Sequence, residues 1–418
     1  MCRKELYSHL SLIYIDDLVT TIPRSLGVPR FIIWLFADDI AVSSGVSGIA
    51  GYEILQEGLD HIAAWCDTWL ALLSLPKCII LIFDSPHCRL SPPPPFTINN
   101  IPLAVKDSFN YLGLIYTNNL KWHKHFAHVR SRINYKLHLI SRVLSDNTPA
   151  FAIRTLITSL ITPTFTYGMP FWRPTQKQCL QLQSLLIAPL RRSLHLPHSA
   201  HHLSILTECG MLDYRFVWGR SVLLWIESLN HLEISHPSVT VFANHPTHLS
   251  WHRRLASTVK EWNIGTLSKP FAIHTAASSM HMSLWRNSNK CKDLIQLRKS
   301  QTLLPATYIR YDTPLHSRLR ARLRLNRSNL SNSLFRRHLS LSPACSTCNT
   351  IETPDHLLIC PLYHDARQTL IRAIGHLPSI NTILGEPPLN RSRKHQRHIL
   401  LHTGQFLHTA STIHPNGF

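Results

Sequence analysis

Between Phe31 and Val42 two short apolar runs, Phe31-Ile32-Ile33-Trp34-Leu35-Phe36 and Ile40-Ala41-Val42, flank Ala37-Asp38-Asp39. The pattern predicts a tight hairpin with two carboxylates at its tip. Ile54, Leu55, Leu59, Ile62, Cys66, Trp69 and Leu70 then recur at steps of three and four, predicting a helix over 51–73. Residues 78–83 read as a buried strand. Four prolines at 92–95 separate it from 96–103, read as a hairpin turning at Asn99-Asn100, and 111–116 read as one further strand. From Trp122 the period lengthens from two to about 3.6, predicting helices near 122–144, 148–170, 177–194 and 211–230. Residues 231–300, rich in Ser, His, Asn and Thr with weak periodicity, read as an irregular linker region. The predicted class is α+β. The sequence has no internal repeat, Walker loop or Gly-x-Gly-x-x-Gly fingerprint, which removes P-loop and Rossmann chemistry.

Composition adds a partner class. Of 418 residues 44% are apolar and 16% charged, the balance of a chain that packs, with length for two or three domains. The net charge is +20, divided as −4 over residues 1–100 and +24 over 101–418. Such an excess points to a polyanion, either nucleic acid or an acidic membrane surface. No apolar run approaches the 18 or more residues of a bilayer span, and the N-terminus lacks a secretory pattern. Seven cysteines stand singly rather than in a disulfide framework. The expectation is a soluble, intracellular protein of the cytoplasm or nucleus with no membrane partner.

Three groups of residues can carry chemistry. Adjacent aspartates repel and need a base or a cation, and clustered carboxylates hold the paired metals of phosphoryl and nucleotidyl transfer. Against that, Asp is a common turn residue. Tyr14-Ile15-Asp16-Asp17 offers a second Asp-Asp pair, for which a structural role at a helix or strand end is expected. Cys345, Cys348, His356 and Cys360 place four soft or borderline ligands within sixteen residues, a donor set suited to Zn²⁺, with free buried thiols as the alternative and His364 as the substitute fourth ligand. Basic residues gather at Lys121, Lys124, Arg130, Arg132 and Lys136, interleaved with Trp122 and Tyr135, and again at Arg318, Arg320, Arg322, Arg324 and Arg327. Such runs are either solvated faces or phosphate contacts.

In order along the chain these residues resemble the reverse transcriptases of non-LTR (LINE-type) retrotransposons. Tyr14-Ile15-Asp16-Asp17-Leu18 is similar to the segment closing the family's template grip, and Phe36-Ala37-Asp38-Asp39 to its catalytic box. Trp65-Cys66, Trp69 and Leu72 lead to Lys77, similar to a downstream family segment, and this spacing favours Asp38 and Asp39 over Asp16 and Asp17 as the metal pair. Tyr111-Leu112-Gly113-Leu114 with Leu120 and Trp122 resembles the primer grip and the start of the thumb; Leu160, Tyr167-Gly168 and Trp172 continue the series. Glu352-Thr353, His356, Cys360-Pro361, Tyr363 and Arg367 resemble the Cys/His module that follows many such enzymes.

The resemblance implies RNA-directed DNA synthesis, with Asp38 and Asp39 holding Mg²⁺ or Mn²⁺, Lys77 as acid, Zn²⁺ in the C-terminal module, and an RNA template and DNA primer or target as partners. It also implies a division into partial palm (1–118), helical thumb and connection (119–230), linker (231–300), basic segment with Cys/His module (301–375) and tail (376–418). The family's first metal-binding Asp strand and fingers have no counterpart in this sequence, so the chain alone is expected to be inactive as a polymerase, with an upstream portion of the same polymerase as a further partner. The alternatives are a non-catalytic nucleic-acid-binding remnant and a fragment with no defined role.

Overall fold

The computed structural model describes residues 17–418 apart from 20, 23, 26–27, 30, 38, 47, 84–92, 146, 244–249, 266–268, 299–301 and 388–391. The protein is α+β and mostly helical, and its chain divides into two compact units, residues 1–125 and 126–418.

In the first unit the expected hairpin forms: Ile32–Phe36 pairs antiparallel with Asp39–Ser43, Phe36 opposite Asp39, leaving a two-residue turn entered by Ala37 at φ 52°. Helix Ile49–Trp69 lies on it, burying Leu59, Ile62, Ala63 and Cys66. The approach is close at Gly58, where a Cβ would stand 2.8 Å from Val42 Cγ2, so only glycine fits there. Thr97–Ile98 pairs with Ile101–Pro102 around Asn99 and Asn100, both at positive φ, the geometry of a turn that matches strand twist. Residues 108–117, expected to contribute one strand, form a hairpin instead: Ser108–Tyr111 pairs with Leu114–Thr117, and Leu112 and Gly113 turn at φ 48° and 79°. Every sheet among the described residues has two strands.

In the second unit helices follow the apolar period. His123–Val143 buries Val129, Ile133 and Ile140, and Gln176–Ser193 starts from a capping box between Thr175 and Gln178. The helix expected over 148–170 is broken. Ala150–Leu156 passes into a π turn, Ile157–Ile161, before Thr162–Thr166. Pro163 has no N–H to continue the ladder, which accounts for the wide turn preceding it.

The 231–300 region is not an irregular linker: it contains helices Pro237–Ala243, Ser250–Trp262, Pro270–Arg286 and Lys292–Leu297. Ile273, Ala277, Met282 and Trp285 are buried at helical steps, and His281, a polar residue at one of the same steps, is fully buried between Thr207 and the Asp213 backbone N–H. Polar composition hid that period. The expected tail is likewise structured, since helix Arg393–Ile413 places Phe406, Leu407 and Ala410 in one core with Leu319, Leu323, Leu357 and Leu370.

Candidate metal centre

Cys345 and Cys348 stand on a knuckle closed by the Ala344–Ile351 bridge. The Cys345 N–H donates to Thr350 O at 2.8 Å, the Asn349 N–H to Cys345 O at 2.9 Å and the Thr347 N–H to Cys345 Sγ at 3.4 Å. Asn349 takes φ 54°, a conformation Asn tolerates. His356 comes from the short helix Pro354–Leu358. Cys360 follows it, with its N–H donating to His356 O and its own carbonyl accepting from Arg367 Nη1 at 2.5 Å.

The four donor atoms lie within 4.8 Å of one another. Cys348 Sγ is 3.9 Å from Cys360 Sγ and 3.4 Å from His356 Nε2. A tetrahedral Zn²⁺ with bonds of about 2.3 Å to sulfur and about 2.05 Å to nitrogen separates two sulfurs by about 3.8 Å and sulfur from nitrogen by about 3.6 Å. The residues present therefore fit the ion. Thr350 Oγ1 lies 3.0 Å from His356 Nδ1; with Nδ1 as the donor in that contact, the Nε2 lone pair would be left for a metal beside the thiols. Hydrogen bonds from Thr350 hold the Cys348 thiol below its ordinary range, whereas burial pushes Cys360 up to about 11 and holds His356 down. His364, the substitute ligand, begins the next helix and is not one of the four. Thr350 carries no sequence signal of its role beyond its nearness to Cys348.

The centre is set in a core. Cys345 and Cys360 pack with Leu357, Tyr363, Phe406 and Leu407. Glu352 ties the knuckle to two other segments, accepting from the Ser331 N–H at 2.6 Å and from His414 Nε2 at 3.1 Å.

The arginine run divides in two. Arg320 is fully buried, its Nε donating to Asp312 at 2.6 Å and its other nitrogens to the carbonyls of Ile383 and Leu400. Arg324, also fully buried, pairs with Glu208 at 2.6 Å and Glu386 at 3.1 Å, and Arg298 joins Glu208 at 3.3 Å. Burial opposes ionisation of Glu208, but Arg324 and Arg298 outweigh it and hold the carboxyl below its ordinary range. Arg320 and Arg324 are thus structural charges rather than the phosphate contacts expected from the sequence, because three arginines face three carboxylates inside the protein. Arg318 and Arg322 are half-buried, Arg318 Nε donating to Ser193 O and Arg327 Nη2 to Ser199 O. The signal for this network is the scarcity of acids in so basic a body.

On helix His123–Val143, Arg130 and Arg132 are exposed, and Arg132, Tyr135 and Arg142 follow at steps of three and seven away from buried Ile133. Lys136 instead donates to Leu160 O and Thr164 Oγ1. Lys121 and Lys124 are exposed, Lys124 donating to Ser108 Oγ; Trp122 is half-buried against Tyr116 and His125.

Asp38 lies outside the described residues, as does Asp16. Asp39 is exposed beside the hairpin turn, and its charge, after burial, helps raise the Tyr111 hydroxyl above its ordinary range. Lys77 is exposed on the short helix Leu75–Lys77. Among the described residues Asp39 belongs to no group of three or more ligands, so this part of the hairpin does not by itself assemble the expected Mg²⁺ site. Asp17 accepts from the indole N–H groups of Trp65 at 2.5 Å and Trp69 at 3.0 Å, which occupies the carboxylate in holding its segment on helix Ile49–Trp69. No helix among the described residues is long and apolar enough to cross a membrane. No protein-family model matches the chain, and no curated protein matches it.

Proposed function

We propose that the chain is a nucleic-acid-gripping part of an RNA-directed DNA polymerase of the non-LTR retrotransposon kind, with an RNA template and a DNA primer or target as partners. The observation that carries this reading is the convergence of Cys345, Cys348, His356 and Cys360 into a tetrahedral-sized donor set within a body of net charge +24. Zn²⁺ held there would order the knuckle, and the chain's own residues would do the binding. Arg132, Tyr135 and Arg142 offer two cations and a phenol ring, 65% exposed, on one side of a helix. Such a stripe suits phosphate contact with base or sugar stacking and supplies no base-reading pattern.

A mobility-shift titration with an RNA–DNA hybrid tests it. The wild type should bind, and Arg132→Glu/Arg142→Glu should bind about tenfold more weakly. Equal affinities, or no binding by the wild type at low salt, would overturn the reading.

A second reading, nucleotidyl transfer by the same chain, rests on the two-residue turn that sets Asp39 beside the hairpin tip. Template-dependent primer extension that disappears in Asp39→Ala would support it; extension that survives the substitution would exclude Asp39 from the chemistry.

A further inference from the structure

The second unit also contains a cleft of about 900 Å³ that includes neither the Cys/His ligands nor the Arg132 stripe, although Arg327 and Ser199, joined by a hydrogen bond, lie in its wall. It opens where helices Gln176–Ser193, His202–Cys209, Tyr214–Leu229 and Pro270–Arg286 come together, with Arg215, Lys290, Arg327, His201 and His202 in its walls. Asp213 is the one carboxylate in that lining. It is fully buried and already engaged: Arg215 Nε and Nη2 donate to its two oxygens at 2.8 Å each, and Gln183 Nε2 donates at 3.2 Å. The lining therefore carries a surplus of positive charge that its own acid does not balance.

Of the two histidines, His201 lies within reach of Lys290, whereas the nearest cation acting on His202 is Arg191, outside the lining. Burial, then Lys290 and other nearby cations, hold His201 below its ordinary range; burial and then Arg191 do the same to His202. Leu180 and Leu284 give the cleft apolar surface as well. Its volume lies within the roughly 300–1,000 Å³ of small-molecule sites. Guanidinium and ammonium groups are suited to phosphate oxygens, and a flat heterocycle packs on aliphatic side chains and imidazoles.

We propose that this cleft binds a phosphate-bearing nucleotide, with Arg215, Lys290 and Arg327 toward the phosphates and Leu180 and Leu284 toward the base. The nucleotide is either free or part of a strand. The site is separate from the knuckle and the Arg132 stripe, and its ligand class comes from its own charges.

Lys290 is the position to change, since it is exposed at the cleft and makes no ion pair among the described residues. Binding of a fluorescein-labelled single-stranded oligonucleotide and of ATP would be measured for the wild type, Lys290→Glu and the milder Lys290→Gln. Lys260→Glu, an exposed lysine outside the cleft lining, is the charge-matched control. Lys290→Glu should weaken at least one of the two ligands about fivefold or more, Lys290→Gln less, and Lys260→Glu under about twofold. Ultraviolet cross-links from 5-iodouracil in the oligonucleotide, or from 8-azido-ATP, should map to peptides within 180–183, 199–215 and 284–290. If ATP alone depends on Lys290, the source is a free nucleotide; if the oligonucleotide does and excess ATP fails to displace it, the source is a strand.

Equal effects of the changes at 290 and 260, or cross-links confined to other peptides, would overturn the proposal while leaving the hybrid-binding reading intact. Lys290-dependent ATP binding by a chain that binds no oligonucleotide or hybrid would do the reverse.

Discussion

Arg320 and Arg324 lie one helical turn apart, as do Arg318 and Arg322, and the two pairs face about 200° away from each other around helix Pro314–Arg324. Read as a run, the four are one basic stretch; read as a helix, they separate into a fully buried pair and a half-buried pair. The sequence shows the spacing but not which pair turns inward, because the partners of Arg324, Glu208 and Glu386, are far away in the chain, and nearby Asp312 alone does not mark Arg320 as buried. Removing one member of a buried pair leaves an uncompensated charge, so Glu208→Gln should cost about 3–5 kcal/mol in urea unfolding, while Arg322→Ala should cost under about 1 kcal/mol. Comparable losses for both would refute the division.

Glu352 gives a pH test at the same scale. Burial opposes its ionisation, but hydrogen bonds from His414 and Ser331 bring the carboxyl down to about 2. A folded value below the unfolded one stabilises fully above the unfolded carboxylate range and is lost as pH falls toward about 2. The stability gap between wild type and Glu352→Gln should therefore be largest at neutral pH and shrink by more than half near pH 3. A gap that does not change with pH would contradict the assignment.

Among the elements, those set by local signals were legible. Apolar strands around Ala37-Asp38-Asp39 and the Asn99-Asn100 turn yield hairpins, and the three-and-four step over Ile54–Cys66 yields a helix. The Leu112-Gly113 turn was misread because a single glycine inside an apolar run looks like continuous strand. Helices Pro270–Arg286 and Arg393–Ile413 were missed because their buried faces include His281, Thr403 and Gly404, whose burial depends on partners elsewhere in the fold. The ligand set of the metal centre was legible from spacing, but its setting was not.

Since Cys345 and Cys360 share a core with Phe406 and Leu407, loss of the ion should reach beyond the knuckle. Cys348→Ser should abolish stoichiometric zinc by mass spectrometry and raise amide exchange in both 345–360 and 393–413. Retained zinc would mean the ligands are misassigned, and exchange confined to 345–360 would mean the knuckle is an independent module.

At the scale of the whole molecule, the proposed grip of this basic helical body on nucleic-acid phosphates is a matter of charge. Charge is the global property that bears on this most directly: residues 101–418 carry 37 bases against 13 acids, and some of the bases, Arg320 and Arg324 among them, are spent internally. The most direct measurement is the affinity for an RNA–DNA hybrid across a salt series from about 50 to about 200 mM. Counterion release predicts a linear fall of log K with log salt, at a slope near −0.9 for each phosphate neutralised on a duplex, reduced by about two units in Arg132→Glu/Arg142→Glu and unchanged in Arg320→Met where that variant folds. A slope near zero, or one that the exposed pair does not alter, would contradict the account.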